Sequence, residues 1–338
     1  MQSQTHKISI IMAARDTAEY LPACLESITK QTYKNWELIA VNDHSVDATP
    51  EIIQEYANKD QRVRLIHSER EKLIPALKEG YAFANGDLIN RMDSDDIMPE
   101  YKLEVMLEQW EKYGKGTVVA GGTQHFVDQG EVGEGFKKYD QWLNDIAKNN
   151  SYSENIYKEC VIPSHCWLIH KDDLNHVDAF NPEVYPEDYD LCFRFYQAGL
   201  KIVGLDRVLH YWRDRSDRIS RTWDCYKDNR YFELKLKYFL LIDRDTSRPL
   251  VLWGAGKNGK DLAKHLINSK QHFEWVCDNE NKIGHNVYEQ ILKHHNFVKE
   301  LTKPQIIISV ASDVDRNNIL DLLSKWNKKV IADFWFFI

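Results

Sequence analysis

Cysteine is sparse and scattered. The six thiols, at positions 24, 160, 166, 192, 225 and 277, include no CxxC pair. This excludes a disulfide-stapled miniprotein and reads as reduced, mostly buried thiols of a cytosolic protein. Long apolar runs are also missing. The longest are Tyr238–Ile242, Ile306–Ala311 and Phe334–Ile338, whereas a membrane-spanning helix needs about 20 apolar residues. The opening MQSQTHKISIIMAA has neither the basic start nor the apolar stretch of a secretory leader. Positive charge is in deficit. With Lys+Arg 44 against Asp+Glu 52 the net charge is -8, so no global field draws the chain to nucleic acid or anionic lipid. There is no fixed-period repeat and no low-complexity tract. What remains is ordinary for a soluble globular protein, at 43% hydrophobic and 28% charged residues. A length of 338 residues suggests two domains, each able to bury a sizeable core.

The first hundred residues alternate strand and helix signals. Ile8–Ala13, Trp36–Val41, Arg62–His67 and Asp87–Arg91 read as buried strands, and Thr17–Gln31, Thr49–Ala57 and Ile74–Ala84 as helices between them. Such alternation predicts a doubly wound, mostly parallel α/β sheet, whose ligands bind at the carboxyl ends of the strands. Residues 130–160 read as loops with one short helix, Val161–His170 as a strand, Glu187–Gly199 as a helix, the Arg-dense 206–222 as a loop, and Trp223–Ile242 as a long helix. A polar linker, DRDTSRP at 243–249, then separates an expected first domain, 1–243, from a smaller α/β domain, 249–338. In the latter, Leu250–Trp253, Phe273–Cys277, Gln305–Val310 and Lys329–Ala332 read as strands, and Lys260–Asn268 and Asn317–Trp326 as helices.

Three segments carry chemistry. MDSDD at 92–96 puts three carboxylates within four residues at a strand end. They repel unless a hard cation such as Mg²⁺ or Mn²⁺, which also takes a diphosphate, holds them; the alternative is a solvated acidic turn. In ELIAVNDHSVDAT at 37–49, Asp43 ends a strand, where a carboxylate can accept the N–H of a pyrimidine or a ribose hydroxyl. The plainer reading is a turn with Asp47 or Thr49 as helix cap. In NPEVYPEDYDLCFRF at 181–195, Glu187 and Asp188 open a helix. They serve either to cap it or as a general base.

In this order and spacing the three segments resemble glycosyltransferase family 2, with its GT-A nucleotide-diphospho-sugar transferase fold. ISIIMAARDTAEYLPACLESITKQTYKNWELIAVNDHSVDAT is similar to that family's opening, ALKEGYAFANGDLINRMDSDDIMPEYKLEVMLEQW to its DxD segment, PEDYDLCFRFYQAGLKI to its ED helix, and HYWRDRSDRIS to its late loop. The resemblance covers roughly residues 5–240. It implies that Asp43 binds the base, and that Asp93 and Asp95, flanking Ser94, meet the ribose and a Mn²⁺ or Mg²⁺ ion. It further implies that Asp188, with Glu187 beside it, is the catalytic base, and that Trp212, Arg213 and Arg215 close over the diphosphate. Where the family has Pro and Tyr after its first strand, this chain has Ala13 and Arg15, whose guanidinium can stack on a planar ring. Lys78 replaces an Asn in the third helix, and Arg215 a His of the late loop.

The resemblance implies a metal-dependent, inverting transfer from a nucleotide-sugar, a UDP-sugar being favoured, to a saccharide or lipid-linked saccharide. A catalytically silent assembly protein of a polysaccharide pathway and a nucleotidyltransferase are the alternatives. Both are disfavoured by the carboxylates just named. In the C-terminal segment, VLWGAGKNG supplies Gly254, Gly256 and Gly259 after a strand, with Asp278 about twenty residues on. This is the dinucleotide-binding fingerprint in its context. With only about four strands expected, a scaffold is favoured over a phosphate or nucleotide site. His294-His295 reads as a solvated helix end, and the closing FWFFI as a last strand in preference to a membrane-surface foot. The expected location is the cytoplasm, with the inner face of the membrane as the alternative for lipid-linked acceptors.

Overall fold

The structure, a computed structural model, describes residues 6–215 and 231–338. The chain forms two compact units. The first comprises Met1–Tyr152 with Val161–Lys227, the second Ser153–Cys160 with Asp228–Ile338.

The first unit is built on seven strands: β1 (Ile8–Ala14), β2 (Trp36–Asn42), β3 (Val63–His67), β4 (Leu88–Arg91), β5 (Thr117–Phe126), β6 (Trp167–His170) and β7 (Lys201–Arg213). The helices are α1 (Leu21–Thr29), α2 (Thr49–Lys59), α3 (Leu73–Ala82), α4 (Lys102–Tyr113), α5 (Glu134–Asn149), α6 (Tyr152–Asn155), α7 (Lys171–His176) and α8 (Glu187–Gln197). The strand order is β3-β2-β1-β4-β6-β5-β7, and β6 runs antiparallel to both neighbours. Every residue of β2, and all of β1 but Ala13, is buried. Strands covered on both faces read as unbroken apolar runs, which is why they were legible. Ala14 pairs with Asn42 and Ile11 with Arg91. The register therefore brings the carboxyl ends of β1, β2 and β4 together on one edge of the sheet.

Several expectations are corrected here. Residues 130–160 hold the 16-residue helix α5 and the short α6. The buried Asp140, Leu143, Ile146 and Ala147 of α5 recur at helical spacing, but polar neighbours hide them from a hydrophobic scan. Only Trp167–His170 of the expected 161–170 strand is extended. The Arg-dense stretch is strand through Arg213, with 216–222 outside the described residues. As the sheet's last strand, β7 tolerates its charges on an edge. Of the long helix expected at 223–242, residues 223–230 lie outside the described residues. The remainder is α9 (Phe232–Tyr238), continued by a π-helical turn, Phe239–Asp243.

The second unit has strands β8 (Leu250–Trp253), β9 (Glu274–Cys277), β10 (Asn286–Val287), β11 (Gln290–His294), β12 (Gln305–Ile308) and β13 (Phe334–Phe336), with helices α10 (Lys257–Asn268) and α11 (Asp313–Lys325). Its order is β10-β11-β9-β8-β12-β13, parallel except for β10. The last strand is Phe334–Phe336; Val330 makes only an isolated bridge to Phe334. Phe334, Trp335, Phe336 and Phe337 are all buried, so FWFFI is core and not a surface foot. The sequence division followed the DRDTSRP linker, whereas the compact units divide near 228. Buried Lys235 of α9 explains why. It donates to the Lys158 and Phe337 carbonyls at 2.7 and 3.2 Å, and Tyr157 stacks on Phe337. These contacts fasten both α9 and residues 153–160 to the second sheet.

Candidate active site

The pocket of interest opens at the shared edge of β1, β2 and β4. Its wall includes Ala13, Arg15, Asp43, Arg91, Asp93, Ser94, Asp95, Ser164, Glu187, Asp188, Trp212 and Arg215. Asp43 leaves β2 buried, with its N–H on the Ala14 carbonyl at 2.8 Å and its Oδ1 accepting the Lys72 N–H at 3.0 Å. Asp47 accepts the N–H groups of Ala18 and Thr49 at 2.9 and 3.0 Å. The turn therefore uses Asp47 structurally, but Ala48 stands at the start of α2 and no side chain caps it, so the expected cap by Asp47 or Thr49 is corrected. Arg15 pairs with Glu71 at 2.6 Å.

The DxD turn sits on a buried polar network. Asp93 Oδ1 meets the Arg91 guanidinium at 3.1 Å, and its Oδ2 accepts from Ser164 Oγ at 3.2 Å and faces His165 Nδ1 at 3.4 Å. Burial pushes the Asp93 carboxyl up, but Arg91 and then His165 outweigh it and hold it well below the usual carboxylate range. Asp95 Oδ2 accepts from Arg215 Nε at 2.9 Å. Asp96, 1% exposed, accepts the Arg213 N–H at 2.7 Å and faces His210 Nε2 at 2.9 Å. Beneath it, Lys102 Nζ donates to the His165 carbonyl at 2.7 Å and lies 3.4 Å from His210 Nδ1. Burial lowers Lys102 to about 8 and, with His210, lowers His165 to about 3.

Glu187 and Asp188 open α8 as expected, in the turn where the helix dipole favours negative charge. Glu187 Oε1 accepts from Arg91 Nη1 at 2.8 Å. Asp188 Oδ1 accepts the Tyr189 N–H at 2.8 Å. Trp212 stacks on His125, with centroids 4.6 Å apart.

Most of the residues singled out in the sequence meet here. Lys78 does not; it lies exposed on α3, away from the pocket lining. Arg213 is buried beneath the turn, with its Nε on the Asp95 carbonyl at 2.7 Å and its guanidinium paired to Asp128. Arg91, Ser164, His165 and His210 were missed. Arg91 had a signal, since a charged residue directly before MDSDD ends an otherwise buried strand. His165 and His210 had none, because only the fold brings them under Asp96.

Two groups of side chains have metal-ligating chemistry. Asp93 and Asp95, with serine hydroxyls nearby, are hard oxygen donors on the pocket wall and fit Mg²⁺ or Mn²⁺. Asp96, His165 and His210 hold their ligand atoms within 4.8 Å of one another. That trio is knit by the hydrogen bonds above, with a lysine ammonium against it and its imidazoles stacked at 3.5 Å, so it serves as a support of the turn.

In the second unit, Gly254 (φ +120°) leads from β8 into α10, and a Cβ on Gly259 would meet the Gly254 carbonyl oxygen at 2.0 Å. Only glycine permits that close approach. Asp278, at the end of β9, accepts from Trp253 Nε1 at 2.8 Å, and its other oxygen lies 2.7 Å from His295 Nδ1. Lys282 Nζ donates to the Ala255 carbonyl at 2.9 Å. His295 stacks on Trp253 at 5.4 Å, so it is not the solvated helix end expected. Among the described residues, no helix is long and apolar enough to cross a membrane.

Comparison with known proteins agrees with this geometry. The family model described as glycosyl transferase family 2 matches residues 9–178. Glycosyltransferase GlyG of Streptococcus pneumoniae is 30% identical over 221 residues, covering 64% of this chain and 73% of the relative. The amylovoran biosynthesis glycosyltransferase AmsE of Erwinia amylovora is 25% identical over 233 residues, covering 68% and 85%. Among solved structures, Staphylococcus aureus TarS 1–349 in complex with UDP-GlcNAc is similar in fold, with a TM-score of 0.54 and 17% identity over 78% of this chain and 73% of that one. With an α/β sheet of the GT-A type and its carboxylates gathered at one strand edge, the chain belongs to glycosyl transferase family 2.

Proposed function

We propose that this glycosyltransferase moves a sugar from a UDP-sugar to a hydroxyl of a saccharide or lipid-linked saccharide acceptor, with inversion at the anomeric carbon, in cell-surface polysaccharide or glycoconjugate synthesis. The observation that carries the reading is the meeting of Asp43, Asp93, Asp95, Glu187 and Asp188 around one pocket, from three separate segments. The UDP-GlcNAc bound by TarS and the amylovoran pathway of AmsE point the same way for donor and product class.

In this reading Asp43 accepts from the base, with Ala13 leaving room beside it and Arg15 at the rim. Asp188 takes the proton of the acceptor hydroxyl as that oxygen bonds to the anomeric carbon, opposite the diphosphate. The bond from that carbon to the diphosphate oxygen breaks, and the electron pair leaves with the nucleoside diphosphate. Asp93 and Asp95 would hold Mn²⁺ or Mg²⁺, which supplies neutralisation of the leaving diphosphate. Arg215, beside Asp95, adds a second positive contact, while Arg213 holds the turn from below. The second unit acts as a scaffold. Asp278, the ribose-binding carboxylate of the dinucleotide fingerprint, is here engaged by Trp253 and His295.

The test is thermal unfolding with UDP-, GDP- and dTDP-sugars, with and without Mn²⁺. A ligand at 100 times its dissociation constant stabilises by about 2.7 kcal/mol. The expected result is a shift with UDP-sugars that needs the cation; no shift with any of them would overturn the reading.

A further inference from the structure

A buried arginine joins the two acidic motifs. The Arg91 side chain, 6% exposed, ends β4 and reaches Asp93 Oδ1 with Nη2 at 3.1 Å and Glu187 Oε1 with Nη1 at 2.8 Å. Its two partners come from different parts of the chain, the DxD turn and the first turn of α8. Such a pair is weak evidence for stability, because desolvating the charges offsets most of their attraction. What a rigid guanidinium fork does supply is fixed geometry between two carboxylates. Here those carboxylates flank the pocket in which Asp188 also lies.

We infer that Arg91 is a positioning residue for glycosyl transfer. It fixes the start of α8 against the DxD turn and thereby sets the reach of Asp188 to the acceptor hydroxyl. The Arg91 fork holds Glu187 Oε1, which makes Glu187 the anchor of this brace, with Asp188 the proton acceptor of the transferase reading. The inference rests on the transferase reading above. A lysine in place of Arg91 keeps the charge but ends in a single point, and cannot span both carboxylates with the same geometry. A misplacement of about 1 Å is enough to cost roughly 10²-fold in rate.

The experiment measures donor affinity and turnover separately. The donor is the nucleotide sugar giving the largest thermal shift, starting from UDP-GlcNAc, and turnover is read as release of the nucleoside diphosphate. Arg91→Lys, checked as folded by circular dichroism, is expected to bind donor within about 3-fold of the parent and to turn over roughly 10–10²-fold more slowly. Glu187→Gln, which still offers Arg91 an acceptor, is expected to stay well above Asp188→Asn in turnover. Arg91→Met leaves two half-buried carboxylates without the guanidinium they share, so Arg91→Met/Glu187→Gln should melt higher than Arg91→Met alone, a coupling a double-mutant cycle detects. Parental turnover in Arg91→Lys, a loss confined to donor affinity, or additive melting shifts would overturn the inference. Asp188→Asn at the parental rate would overturn it too, whereas a parent protein that neither shifts with any nucleotide sugar nor releases a nucleoside diphosphate would sink the transferase reading itself, so the two failures are distinguishable.

Discussion

Replacing Asp96 by Asn tests whether the DxD turn stands on the network beneath it. Asp96 is 1% exposed, and its two oxygens serve two donors, the Arg213 N–H at 2.7 Å and His210 Nε2 at 2.9 Å. The tautomer follows from Lys102. Its ammonium faces His210 Nδ1 at 3.4 Å, leaving the proton on Nε2, pointed at Asp96. Asparagine has the same size but one oxygen and one NH₂, so whichever way it turns, a donor faces a donor. A hydrogen bond to a charged group contributes about 1.5–3 kcal/mol, and an orphaned buried donor costs about 1–3 kcal/mol more. A loss of about 3 kcal/mol is therefore expected. For a folded unit of 150–250 residues, each 1 kcal/mol moves Tm by about 2–4 °C, giving a drop of roughly 6–12 °C. Differential scanning calorimetry reads this directly. Donor affinity should fall with it, since the Asp93 and Asp95 carboxylates ride on the same turn. An Asp96→Asn protein melting within about 1 °C of the parent, with donor affinity intact, would refute the claim that this network supports the site.

Two further outcomes follow from the geometry. Asp95→Asn should remove most of the Mn²⁺-dependent part of donor stabilisation while leaving the fold intact, because its oxygens line the pocket; thermal shifts with and without the cation check it. Gly259→Ala should destabilise the second unit by more than the usual surface substitution. A Cβ there would sit 2.0 Å from the Gly254 carbonyl oxygen, and backbone cannot yield cheaply, so a markedly lowered melting transition is expected.

How far the sequence could be read depended on what each segment buries. Strands β1, β2 and β4 were legible because helices cover both faces and leave apolar runs. Asp43, Asp93, Asp95, Glu187 and Asp188 were legible because each closes a strand or opens a helix. Helix α5 was not, because Leu143, Ile146 and Ala147 stand among polar residues. Nor was β7, whose Asp206, Arg207 and Arg213 read as loop until the strand is seen at the sheet edge. The Asp96–His210–Lys102 support was illegible for another reason. Its members lie up to 114 residues apart, and only the pairing of β7 with β5 and the packing of α4 bring them together. Arg213 shows the converse. The late-loop resemblance pointed it at the diphosphate, while the fold turns its guanidinium to Asp128 and the Asp95 carbonyl.

The most direct test of the account is Asp188→Asn, assayed for donor binding and for turnover in the same preparation. Asparagine keeps the size of the side chain and an oxygen for the Tyr189 N–H, but it cannot take a proton from the acceptor hydroxyl. The account predicts donor affinity like the parent's and turnover lower by roughly 10²–10⁴-fold, the contribution of one acid–base group. Turnover at the parental rate would contradict it.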